Sequence, residues 1–231
     1  IPEQIVASFE QPASRTMVQE DRYIFWTEGD EISFFPQLKL NLQYRLHSAE
    51  GETAYFTRIS TPESSDVKLK YNYAVYPYLA STRLSNQEDI TVVMPAVQEY
   101  AENSFGRGAN TMVAASESSS SRFLPFRNLG GYLVVKLYGE NAKIKSIELK
   151  GNKGEVLAGK ATVQAKYGYL PAITMNEGGS QTITLDCGDG VALSADEANP
   201  TIFWLVVPPT IFEGGFTLTI TNTLGGETIK S

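Results

Sequence analysis

The feature that most constrains this chain is an alternation of apolar and polar residues at every second position, repeated along the sequence and interrupted by turn-forming residues. In "GFTLTIT", Phe216, Leu218 and Ile220 fall on one side and Thr217, Thr219 and Thr221 on the other. A strand sends successive side chains to opposite faces, so this pattern describes a strand with one buried face. "QTITLD" repeats it with Ile183 and Leu185, and "KSIELKG" with Ile147 and Leu149. "DEISFF", "NYAVYPY" and "DITVVMP" carry strand patterning into the first half. In the longer "YNYAVYPY", alternation puts Tyr71, Tyr73 and Val75 on one face and Ala74, Tyr76 and Tyr78 on the other, with one of the faces expected to be open to solvent. Gly, Asn and Asp cluster between the runs in "EGDE", "GNKG", "NEGGS" and "LGGE", and such residues accept the dihedrals of tight turns. Helical patterning is confined to "PAVQEYAEN", where Pro95 suits the first position of a short helix, and to "SADEANP", which suits a single turn. Long helices do not alternate with strands, which excludes a doubly wound α/β fold.

The small, polar run Ser116–Arg122, "SESSSSR", reads as a flexible link. After it, "YLVVKLY", "KSIELK", "EVLAGKATVQ", "YLPAITM", "QTITLD", "TIFWLVV" and "FTLTIT" follow at short intervals. About seven short strands separated by turns every 8–12 residues is the signature of a sandwich. The first half holds a similar number. The expectation is therefore an all-β chain of two tandem β-sandwich domains, residues 1–122 and 123–231.

Composition narrows the function. A net charge of −7 with few, scattered Lys and Arg argues against nucleic acid, which requires clustered positive charge. No apolar run approaches the roughly 20 residues of a membrane-spanning helix. Cys187 is the single cysteine, so no internal disulfide forms, and "TITLDCGDG" places it at a strand end before a turn. His47 is the single histidine, in "YRLHSAEGE", and it reads as a surface-loop residue. Zinc would call for further His or Cys at ligand spacing. No nucleophile elbow, phosphate-binding loop or dinucleotide fingerprint is present. Glu28, Asp30 and Glu31 form the densest acidic group, without the alternating spacing of a calcium loop, and read as a solvated turn. The chain is expected to have no enzymatic activity, no metal and no cofactor. Trp26 and Trp204 sit inside apolar runs and are expected in the core rather than on a glycan-binding platform.

The ordered series "ASFEQPASRT", "FWTEGDEISFF", "YAVYPY", "ITVVMPAVQEY", "FRNLGGYLVVKLYG", "VLAGKATV", "TITLDCG" and "FWLVVPPTIFEGGFTLTITN", from Ala7 to Asn222, resembles the fimbrillin-like proteins of Bacteroidetes, subunits of type V pili. The resemblance implies two transthyretin-like Greek-key sandwiches and export to the outer membrane or fimbrium. It implies a lipid anchor on the precursor as the sole link to the membrane. It also implies assembly with other pilus subunits by donor-strand exchange, and adhesion to host or bacterial surface ligands. In that family an arginine-specific protease removes the first strand. Arg15 in "PASRT" is the candidate cut, and Arg58, inside the strand-like "FTRIST", is a poorer one. The family commonly continues past the segment ending at Ser231 with a further strand, so a sheet lacking its last strand is expected here. A donor strand seating about five apolar side chains would contribute about 5–8 kcal/mol after ordering costs. The alternative reading is a surface lipoprotein that binds glycans through exposed aromatic residues.

Overall fold

The computed structural model describes residues 1–9, 26–51, 53–61 and 67–231. Every regular element among them is a strand, as the alternation requires. In chain order they are β1 (Gln4–Phe9), β2 (Glu31–Gln37), β3 (Leu42–Glu50), β4 (Thr53–Arg58), β5 (Lys68–Tyr76), β6 (Arg83–Leu84) and β7 (Ile90–Met94). Then come β8 (Val97–Ala101), β9 (Ser104–Phe105), β10 (Met112–Ala115), β11 (Phe123–Asn128), β12 (Gly131–Leu137) and β13 (Lys143–Gly151). The last are β14 (Gly159–Gln164), β15 (Ala172–Met175), β16 (Thr182–Ala192), β17 (Thr201–Val207), β18 (Phe216–Asn222) and β19 (Glu227–Lys230). The chain is all-β.

Two compact units form, each from separate stretches of sequence. The first comprises Ile1–Val92, Met112–Asn128 and Thr162–Ile173, and the second Val93–Thr111, Leu129–Ala161 and Thr174–Ser231. The units thus interleave along the chain where a single cut between Arg122 and Phe123 was expected. The Ser116–Arg122 run connects β10 to β11, which pair antiparallel within the first unit. Serine hydroxyls that make a segment a good linker also close tight turns on the backbone. Here Ser116 Oγ donates to the Ser118 carbonyl at 2.8 Å, and Ser119 N donates to the Lys70 carbonyl at 2.9 Å.

In the first unit seven strands close into a barrel in the order β1-β11-β10-β5-β2-β3-β4. Its core gathers Ile5, Trp26, Ile32, Phe34, Tyr44, Phe56, Leu124 and Phe126, among others. From Asn72 onward both faces of β5 are covered, since Tyr73, Ala74, Val75 and Tyr76 are all buried, whereas Lys68 and Lys70 at its start are exposed. Along Asn72–Tyr76 the open face expected for that strand is absent because alternate residues pack on different layers.

In the second unit a six-stranded sheet has the order β19-β18-β13-β16-β8-β9, and β12 pairs with β17 in a sheet of two. Ile147 and Leu149 of β13, Ile183 and Leu185 of β16, and Phe203 and Leu205 of β17 share one core, giving a layered, sandwich-like arrangement. A further sheet has the order β15-β14-β7-β6.

Two local expectations are corrected. Residues 97–101, read as a helix, form strand β8, parallel to β16 through Thr184↔Val97, Leu185↔Gln98 and Asp186↔Glu99. The inward position of this strand is held by Gln98, a polar residue, which hides the period of two. Cys187 does not end its strand: β16 runs on to Ala192, with a register shift opposite Ile144/Ser146. Gly188 (φ 58) and Gly190 (φ 109) adopt the left-handed backbone that this bulge requires.

Candidate functional site: two sheet edges

The residues first considered for chemistry are dispersed. His47 is exposed on β3. Asp30 is buried, and its carboxylate accepts hydrogen bonds from Thr27 N at 2.7 Å, Thr27 Oγ1 at 3.2 Å and Tyr76 OH at 3.0 Å. It ties a turn to the core. Glu31 pairs with Arg45 at 2.7 Å and accepts from Gln43 at 2.6 Å. Cys187 is buried, and burial pushes its thiol up to about 11, with Asp186 adding to the effect and Lys145 opposing it. A thiol so placed is a poor nucleophile at neutral pH. No cluster of three or more metal-ligating side chains occurs among the described residues.

Trp26 and Trp204 are both buried, as expected. Trp26 organises the barrel core: it stacks on Phe9 at 4.8 Å and meets Phe56, Tyr76 and Phe126 edge-on at 5.0, 5.5 and 5.3 Å. The exposed rings lie elsewhere and include Tyr138, Phe123, Tyr167 and Tyr169, the last beside the exposed Leu170.

What the fold brings together is backbone. β1 lies between β4, to which it is antiparallel through Gln4↔Thr57 to Ser8↔Thr53, and β11, to which it is parallel through Val6↔Phe123 to Phe9↔Phe126. The barrel closes through this one strand. Ile5 and Ala7 point inward with no exposure, and Phe9 packs against Trp26. Full burial of an isoleucine is worth about 1.5–3 kcal/mol and of a methyl about 0.8, so β1 contributes several kcal/mol of side-chain packing beyond its ladder. Its leading end is clamped as well. Tyr44 OH donates to the Pro2 carbonyl at 2.5 Å, and Arg58 Nη1 donates to the same oxygen at 3.3 Å. Desolvation raises the Tyr44 hydroxyl to about 12, against the lowering effect of Arg58, so the donor keeps its proton at any ordinary pH. Arg58 itself sits in the ladder, its N–H donating to the Glu3 carbonyl at 2.9 Å. Arg15 lies outside the described residues.

The second unit holds the other edge. β12 and β17 pair over seven positions, Gly131↔Val207 to Leu137↔Thr201. The far side of β17 is occupied by a side chain. Gln98 Nε2 donates to the Val206 carbonyl at 2.8 Å, and its Oε1 accepts from Val206 N at 2.9 Å. One buried amide thus makes the two bonds that a neighbouring strand residue would make. The far side of β12 has no strand partner among the described residues. Leu133, Val135 and Leu137 are only half-buried, as are Phe212, Phe216 and Leu218 on the other side of that core. A cleft of about 240 Å³ lies among Leu133, Leu149, Val207, Phe212 and Phe216. Sequence reasoning expected an unfinished sheet at the chain's last strands. β18 is covered by β19, the last strand, which is itself an edge of the six-stranded sheet, and β12 forms a further edge among the described residues. The half-apolar pattern of β12 does not signal this, because edge and interior strands can share one alternation.

An all-β arrangement of this kind has been seen before. A crystal structure of "a putative cell adhesion protein" from Bacteroides ovatus superposes with a TM-score of 0.53 at 14% identity, covering 98% of this chain and 84% of that one. The likeness is one of fold. A second, also "a putative cell adhesion protein", from Bacteroides uniformis, gives a TM-score of 0.48 at 16% identity over 89% of this chain and 78% of that one. No protein-family model matches the sequence, and no curated protein matches it.

Proposed function

We propose that this protein is a cell-surface adhesion protein of the fimbrial kind, a pilus subunit or tip adhesin that assembles by donor-strand exchange. The observation that carries the proposal is the position of β1. It is the first strand of the described chain, it alone bridges β4 and β11, and its inward side chains complete the barrel core. Cutting the chain after Arg15 severs β1 from every other described strand. Its departure leaves two unpaired edges flanking an apolar slot, which a strand of the same polarity from a second copy refills. The open β12 edge supports the same reading, since it gives a second place for an added strand.

In this role the protein has no catalytic activity and no cofactor. Its partners are other subunits and host or bacterial surface ligands. Its place is the outer membrane or fimbrium, reached through a lipid anchor on the precursor. The fold shared with the Bacteroides ovatus structure agrees with that assignment. Treating the full chain with an arginine-specific protease and following it by size exclusion and unheated SDS gels tests the proposal. SDS-resistant multimers are expected from the cut chain and only monomer from Arg15→Ala. A cut chain that retains the β1 fragment and stays monomeric refutes it.

A further inference from the structure

Both edges of the six-stranded sheet in the second unit are defended. β9 has only two residues. β19 has four, and Leu218↔Lys230 sets a lysine on the face that Leu218 turns to the core. Short edges and inward charges are devices by which sheets refuse further strands. β12 has neither. It pairs with β17 over seven consecutive positions, and its core-side residues are Leu133, Val135 and Leu137.

The ladder fixes which of its backbone groups face outward. Val206 N–H and C=O both go to Gln98, away from β12. Successive residues of an antiparallel strand turn these groups to opposite sides, so Leu205 and Phe203 bond to Leu133 and Val135. Val134 and Lys136 therefore turn their N–H and C=O to the side that no described strand pairs.

This edge matches itself. A two-fold axis at Val134 sets β12 antiparallel to β12 of a second copy, and the two Val134 residues exchange a reciprocal pair of backbone bonds. Leu133 then lies opposite Val135 on the core side. Lys136 lies opposite Tyr132 on the outer side, a cation beside an aromatic ring and away from the other lysine. Leu137 lies opposite Gly131, where an added side chain meets open space. Gly131 lies on the wall of the cleft formed with Leu133, Leu149, Phe212 and Phe216, and Leu137 of the second copy enters it.

We propose that β12 is a homotypic contact, at which two copies join edge to edge into one sheet of order β17-β12-β12-β17. The contact forms between intact chains and is independent of the release of β1. A single strand edge buries less than the roughly 1,200 Å² at which standard interfaces begin, so the dimer is weak, with a Kd of about 10–300 μM, and SDS dissociates it.

Sedimentation of the intact, uncut protein from about 5 to 500 μM tests this, with mass expected to rise from monomer toward dimer and no further. Val134→Pro removes an N–H that makes no bond to β17, a position where an edge strand tolerates proline. Its monomer is expected to melt within about 5 °C of the unaltered protein while the Kd rises at least tenfold. Val134→Cys, combined with Cys187→Ala, sets two thiols across the axis at a Cα separation of about 5.5 Å, within disulfide reach. It is expected to cross-link on mild oxidation at least tenfold faster than Lys230→Cys in the same background. Cross-linking decides the matter if the proline variant does not fold. A chain that stays monomeric throughout overturns the proposal. So does association that continues past the dimer, a folded Val134→Pro that dimerises as before, or Lys230→Cys cross-linking as fast as Val134→Cys.

Discussion

Ile5→Ala tests whether β1 is a separable piece of the barrel. Ile5 has no exposure and lies opposite Phe56 in the β1–β4 ladder. Truncation removes three carbons, about 2.4 kcal/mol at roughly 0.8 per methylene. The cavity left in a closed barrel adds to this, and measured costs for such changes run about 2–5 kcal/mol. A loss of about 3 kcal/mol concentrated on β1 raises the population with that strand released roughly a hundredfold, at about 1.4 kcal/mol per factor of ten. Val6→Ala is the control, since Val6 is half-buried on the outer face between Tyr55 and Phe123. It is expected to cost under about 1 kcal/mol. The assay is hydrogen exchange of the β1 amides, including Val6 N, which donates to the Arg122 carbonyl at 2.9 Å. Uptake of a labelled peptide with the sequence of Gln4–Phe9 runs beside it. Ile5→Ala is expected to speed both far more than Val6→Ala does. Equal effects from the two changes, or β1 amides that exchange only with global unfolding in Ile5→Ala, refute the claim that β1 leaves as a unit.

Two further outcomes are expected. Gln98→Ala strands the N–H and C=O of Val206, each costing about 1–3 kcal/mol when buried without a partner, so the denaturation midpoint falls by an amount matching about 2–6 kcal/mol. Gln98→Glu, which keeps the acceptor and loses the donor, falls between the two in urea melts. Cys187 is expected to react slowly with thiol reagents at pH 8 in the folded protein. Its thiol is raised from 9.0 to about 11, so the neutral form is favoured by folding. That contribution is complete below about pH 9 and is lost as pH rises through 11, and urea melts of the unaltered protein and of Cys187→Ala at pH 8 and pH 10.5 detect it.

The parts of the fold legible in the sequence are those governed by a residue's immediate neighbours. β13, β16 and β18 announce themselves because each puts apolar groups on a single buried face, and both tryptophans fall where their apolar surroundings place them. β8 stays hidden because its inward residue is Gln98, whose amide is satisfied only by a backbone 108 positions away. The Ser116–Arg122 run misleads for the same reason: its hydroxyls and carbonyls are bonded by Asn72, a residue on another strand.

Alternation and turn chemistry act over a few residues, so the chain's own order of letters settles that it is built of strands, and roughly where they lie. Which strands become neighbours is a matter of contacts between distant segments, decided by core packing and ladder pairing that no local pattern encodes. That is why β1 closing the barrel against β11, and the side of β12 that no described strand pairs, emerge only in three dimensions.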